Sequence, residues 1–161
     1  MLLAPERSIQ VERRDIVTLW SDAAGTKGIG AFYMKRIGQQ PEPGAAFSIS
    51  LPCYIARARE HINTKEMLGV EQALLYWGRQ CKGSKVIMHG DNRAVAHGLE
   101  NQTIRGPPMD ALRRSLLLAA KYNLDLEGRW ILTGENALAD VLSPFDYDRI
   151  ANQASQLIYP T

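Results

Sequence analysis

KVIMHGDN, residues 85–92, sets a compact apolar run against an aspartate and then an asparagine. An apolar run of this length bounded by turn residues predicts a buried strand over Ser84–Gly90, and asparagine is a favoured helix N-cap. The segment therefore predicts a strand, an acid and a short helix, Asn92–Leu99, in immediate succession. Asp91 by itself reads as a turn residue, or as a charge that suits a helix N-terminus. At the end of an interior strand it has a second reading, because sites in sheets with parallel strands form beyond the carboxyl ends of those strands.

Upstream, Asp15–Asp22 is rich in β-branched and large apolar residues and stops at a turn-prone Ala-Ala-Gly-Thr-Lys-Gly segment. It predicts a first strand, with two more at Gly30–Arg36 and Ala45–Leu51 separated by a loop around residues 40–44. Three strands on short links predict an antiparallel meander. The period then changes: Met67, Val70, Ala73, Leu74 and Trp77 recur at helical spacing over Thr64–Trp77, closing near Gly78–Gly83. Downstream, Met109–Tyr122 predicts an amphipathic helix opened by Pro107-Pro108, Leu124–Thr133 a strand, and Asn136–Leu142 a short helix halted by Pro144. The order βββ-α-β-α-α-β-α is that of an α/β mixed sheet with helices on its faces.

The chain has 161 residues, 45% of them hydrophobic, enough for one well-filled core and too few for two domains. The expected division is a lead-in over 1–14, a domain over 15–145, and a C-terminal extension or linker over 146–161. A formal charge of +2 is compatible with a nucleic-acid partner without demanding one. Cys53 and Cys81 lack zinc-site spacing and read as reduced core thiols. No stretch is long and apolar enough to predict a membrane span, and no signal-peptide core is visible, so the expectation is an intracellular protein of cytoplasm or nucleus with no membrane partner.

Four acids fall at element ends: Asp22, Glu66, Asp91 and Asp140. If the first and fourth strands are adjacent and parallel, Asp22 and Asp91 arrive side by side. Carboxylates in close proximity repel, so a cluster of them requires a cation. Oxygen donors without thiol or imidazole favour magnesium or manganese, and two such ions about 4 Å apart can drive phosphodiester cleavage. Each acid also has a plain structural reading. Asn63-Thr64-Lys65-Glu66 matches a capping box with Glu66 in the first helical turn, although Glu66 shares a face with Val70, Ala73 and Trp77 and so should point inward. Asp22 suits a strand exit, and Asp140 suits a helix start already capped by Glu135-Asn136. One shared metal site is more economical than four separate explanations.

LWSDAAGTKGIGAFY (19–33), HINTKEMLGVEQALLYW (61–77), VIMHGDNRAVAHGL (86–99) and TGENALADVLSP (133–144) resemble, in order and spacing, the acidic motifs of the ribonuclease H domain of retroelement reverse transcriptases. The likeness is to the DIRS-like and related fungal retrotransposon group and spans about residues 15–145. It implies the ribonuclease H-like fold, a five-stranded mixed sheet of three antiparallel strands followed by two parallel ones, with helices on both faces. It implies hydrolysis of the RNA strand of an RNA/DNA hybrid with two Mg2+ ions, for which Mn2+ can substitute, leaving a 3′-hydroxyl and a 5′-phosphate. It assigns Asp22, Glu66 and Asp91 as core metal ligands, Asp140 to the second ion, and Asn63 and Asn92 to the hybrid's minor groove or backbone. The implied partner is a reverse transcriptase polymerase domain in the same polyprotein.

Three departures qualify those implications. Thr133–Asn136 lacks the histidine many members carry before the last acid, which points to slow turnover. The connection Asn101–Pro108 is too short for a basic extension, which points to help from the polymerase domain in holding substrate. Ser143-Pro144 stands where Ser-Arg is common, removing one phosphate contact. The rival readings are a catalytically weak or inactive nucleic-acid- or protein-binding module, and another nuclease or strand transferase that would cut DNA duplexes. Of the remaining features, Lys27, Arg57, Arg59, Lys65 and Arg93 flank the acids and suit either a phosphate backbone or a solvated surface. His61 and His89 read as structural, Trp20, Trp77 and Trp130 as core, and Arg113-Arg114 as an exposed helix face.

Overall fold

The computed structural model describes residues 14–24, 27–37, 40–41, 45–51 and 61–142. Cys53, Arg57 and Arg59 lie outside the described residues, as do the 1–14 lead-in up to residue 13 and the extension expected after 145.

Strand β1 (Ile16–Ala23) alternates as a sheet pleat requires, and its Val17 and Leu19 are fully buried. It is central because both of its edges are paired. On one side it runs antiparallel to β2 (Gly28–Ile37), with Asp22 opposite Gly30. On the other it runs parallel to β5 (Lys85–Gly90), with Trp20 opposite His89. Beyond β5 lies β6 (Asp125–Trp130), again parallel, and beyond β2 lies β4 (Ala45–Ser50), antiparallel. The long strands are thus ordered β4-β2-β1-β5-β6, the expected five-stranded mixed sheet. A further two-residue strand, β3 (Gln40–Pro41), pairs with the end of β2 inside the segment expected to be loop. Its proline is tolerated at a sheet margin, where no ladder amide is needed.

Helix α1 (Ile62–Trp77) packs on β1 and β2, with Met67, Val70, Ala73 and Leu74 essentially inaccessible. Gly69 lets it approach closely, since a Cβ there would stand 3.3 Å from the Ile29 side chain. Its start differs from expectation. His61 is the N-cap and its Nδ1 accepts from the Asn63 amide, so the helix begins before the expected capping box and Glu66 falls in the second turn. Glu66 is thereby released from capping and directed inward.

Helices α2 (Arg93–Asn101) and α3 (Pro108–Lys121) follow, α3 opened by Pro108 as expected. A 3-10 turn (Thr133–Asn136) leads into α4 (Ala137–Leu142), which packs across β1 and β2. No described helix is long and apolar enough to cross a membrane.

Two expectations are corrected. Arg114 is not merely part of an exposed face: its guanidinium grips the buried Glu71 carboxylate through two hydrogen bonds of 2.7 and 3.0 Å, tying α3 to α1. Arg113 does stay outside, paired with Asp110. Removing Arg114 leaves a buried carboxylate without this partner, so Arg114→Ala is expected to lower unfolding stability by about 1–3 kcal/mol, reduced from the fully buried case because Arg114 is half exposed. Chemical denaturation checks this, and Arg113→Ala should stay within about 0.5 kcal/mol of wild type. Trp130 is also not core: it is 37% exposed at the end of edge strand β6, whereas Trp77 is buried.

Candidate metal centre

Because β1 and β5 are neighbours and parallel, their carboxyl ends coincide. Asp22 is the next-to-last residue of β1, and Asp91 follows the last residue of β5. Glu66 reaches the same point from α1. One carboxylate oxygen from each of the three lies within 4.8 Å of the others. Asp22 and Glu66 are 7% and 6% exposed, while Asp91 is half-buried.

Burial pushes the Glu66 carboxyl up to about 9, reinforced by the charges of Asp22 and then Asp91; only a hydrogen bond from the Ala23 backbone opposes the shift. The cause is elementary. Negative charges brought together out of water are tolerated only when a proton or a cation offsets them. An all-oxygen donor set suits a hard divalent ion such as Mg2+ or Mn2+ and gives Zn2+ no soft ligand. The residues therefore fit such an ion, which would take the place of the Glu66 proton.

Asp140 is exposed on α4 and is not one of the three mutually close carboxylates. Asn63 and Asn92 do come together: the Asn92 Nδ2 donates to the Asn63 Oδ1 at 2.8 Å, while the Asn92 Oδ1 caps α2 by accepting from the Val95 amide. His89 packs against Trp20 with ring centroids 5.2 Å apart, and burial followed by the Arg129 charge lowers its pKa. Its packing against Trp20 is that of a structural histidine, and His61 is an exposed helix cap. Lys65, expected at the surface, is buried in the first turn of α1, and Lys27 is exposed.

Two contributors escaped the sequence reading. Asn136, read as a helix cap, turns inward instead: it is 1% exposed and its Nδ2 donates to the Ser21 carbonyl at 3.1 Å, directly before Asp22. Glu135, the other half of the expected cap, instead closes the start of the preceding 3-10 turn, its carboxylate accepting from the Leu132 amide. Asn136→Ala is expected to cost about 1–3 kcal/mol of stability by leaving the Ser21 carbonyl without this donor, a loss measurable as a fall in denaturation midpoint. Trp130 donates its indole N–H to the Asp91 carbonyl at 3.1 Å. Inside the expected strand Leu124–Thr133 it read as core, and no local signal pointed to the Asp91 carbonyl.

No family model matches the chain, and no curated protein matches it. Solved structures do. The N-terminal RNase H domain of a Mycobacterium tuberculosis protein, studied as a fusion with maltose-binding protein, superposes with a TM-score of 0.61 at 17% identity, over 87% of this chain and 99% of that one. RNase H1 from the archaeon Halobacterium salinarum gives 0.57 at 14% identity, over 88% and 99%. LC11-RNase H1, solved in complex with an RNA/DNA hybrid, gives 0.55 at 14% identity, over 84% and 98%. The chain has the ribonuclease H-like fold. At these identities the likeness is one of fold.

Proposed function

We propose that this domain is a divalent-cation-dependent ribonuclease H that hydrolyses the RNA strand of RNA/DNA hybrids by a two-ion mechanism. The observation that carries the reading is the convergence of Asp22, Glu66 and Asp91 at the carboxyl ends of β1 and β5. Asp22 and Asp91 are the ligands fixed by strand ends, and Glu66 supplies a third from α1. Asp140, on the neighbouring α4, would serve the second ion. When bound, Mg2+ or Mn2+ supplies activation of water and neutralisation of the charge that builds on the phosphate and the leaving 3′ oxygen.

The chain's own residues hold that arrangement. The Asn136 side chain fixes the backbone before Asp22, the Trp130 indole fixes the carbonyl of Asp91, and the Ala23 amide holds Glu66. The Asn63–Asn92 bond commits the Asn63 Oδ1 and presents its Nδ2 as a donor for acceptors in the hybrid's minor groove. The resemblance of its acidic motifs to those of DIRS-like retroelements supports a setting in reverse transcription, beside a polymerase domain of the same polyprotein, in cytoplasm or nucleus.

The test offers labelled RNA/DNA hybrid, double-stranded DNA and single-stranded RNA with Mg2+ or Mn2+. Expected are RNA fragments with 3′-hydroxyl and 5′-phosphate ends from the hybrid alone, lost on chelation. Equal cutting of DNA duplex, or cation binding without any cleavage, contradicts the proposal.

A further inference from the structure

Arg93 is the first residue of α2, two positions beyond Asp91 and directly after the Asn92 N-cap. That is the wrong end of a helix for a cation, because the free amides there carry partial positive charge. No acidic residue stands in the first turn of α2 to offset it. Among the described residues Arg93 forms no ion pair. Its guanidinium lies instead over the Trp130 ring, 4.2 Å from the centroid. The ring is in turn anchored, since its Nε1–H donates to the Asp91 carbonyl. Both side chains are solvent-accessible.

A cation placed against its helix dipole, without an ionic partner, yet held by an aromatic platform, is pre-organised for an anion. A guanidinium held over an indole by this contact still has N–H donors to offer planar or tetrahedral oxyanions. It also covers that face of the ring, so the indole is better suited to holding the arginine than to stacking a base. The carbonyl anchoring the ring belongs to one of the three clustered acids, which places this cation at the margin of the proposed cleavage site.

We infer that Arg93 binds a backbone phosphodiester of the nucleic acid laid across the acid cluster, with Trp130 as its positioning residue. The identity of that nucleic acid as a hybrid rests on the function proposed above.

The test is anisotropy binding of a labelled RNA/DNA hybrid across a salt series, with Ca2+ in place of Mg2+ to suppress turnover. Losing one phosphate contact should make the slope of log affinity against log salt shallower by about 1. Arg93→Ala is expected to do this and to weaken binding roughly tenfold. Arg93→Lys should keep the slope while recovering only part of the affinity. Trp130→Phe, which keeps a ring but loses the N–H, should weaken binding with little change of slope. Arg113→Ala, on α3, is the control and should leave both quantities unchanged. An Arg93→Ala protein with wild-type slope and affinity overturns the inference.

The same proteins moved into Mg2+ separate the two proposals. Hybrid cleavage with an Arg93-independent slope sinks the phosphate site alone. Arg93-dependent binding without cleavage sinks the nuclease reading alone, and no binding by the wild type sinks both.

Discussion

Asp22→Asn and Asp91→Asn are each expected to lower single-turnover hybrid cleavage by about a thousandfold or more. The isosteric amide keeps volume and removes one anionic ligand, and loss of several kcal/mol of cation-mediated transition-state stabilisation corresponds to that factor. Without divalent cations and at pH above about 9, where Glu66 is ionised, the same variants should be more stable than the wild type, because each removes a charge that repels Glu66. Reduced cleavage alone would also follow from unfolding. Reduced cleavage with a raised melting temperature would not, so the rate and the melt are measured on the same preparations.

Glu66→Gln carries the second large effect, and its sign follows from proton linkage. The Glu66 carboxyl titrates near 9 when folded, against about 4.5 for an unperturbed glutamate. Between those values the folded state binds more protons than the unfolded state, so stability falls as pH rises. The contribution is fully present below about 4.5 and lost as pH passes through 9, with a slope of at most about 1.4 kcal/mol per pH unit. The metal-free wild type should therefore weaken steadily from pH 5 to pH 9, whereas Glu66→Gln should show much less of that trend. Added Mg2+ should restore stability to the wild type at the alkaline end, because it replaces the proton as counter-charge. Glu66→Gln should gain far less. Urea midpoints against pH, with Mg2+ and with chelator, read all of these outcomes. A wild-type midpoint that does not fall with pH would contradict the account of the cluster.

The strands were legible because their side chains alternate over the central sheet and their links are short; the apolar run at Val86–Met88, bounded by turn residues, marks an interior strand. Asp22 and Asp91 were legible because each sits where a strand ends, and Glu66 because its helical spacing turns it inward, while Asp140 stands apart from the three. What local pattern could not give was the cap of the first helix or the partners of side chains that reach across the fold. The Asn63–Glu66 words satisfy a capping box, yet the cap is His61 and the helix starts at Ile62, while the inward turn of Glu66 was legible from the face it shares with Val70, Ala73 and Trp77. Asn136 and Trp130 were misread for a related reason, since their partners, the carbonyls of Ser21 and Asp91, are 115 and 39 residues away in the chain. Gly128 gave no signal at all, although a Cβ there would lie 2.4 Å from the Ala96 carbonyl oxygen and prevent α2 from packing on β6. Arg114 looked like one more helical surface charge until α1 brought the buried Glu71 to it.

The central claim is that Asp22, Glu66 and Asp91 jointly hold divalent cations, and anomalous diffraction from a Mn2+-soaked crystal with bound hybrid addresses it most directly. Manganese peaks are expected in contact with all three carboxylates and beside a phosphate of the RNA strand. Hybrid bound with no peak at the cluster, or manganese bound only elsewhere, would contradict it.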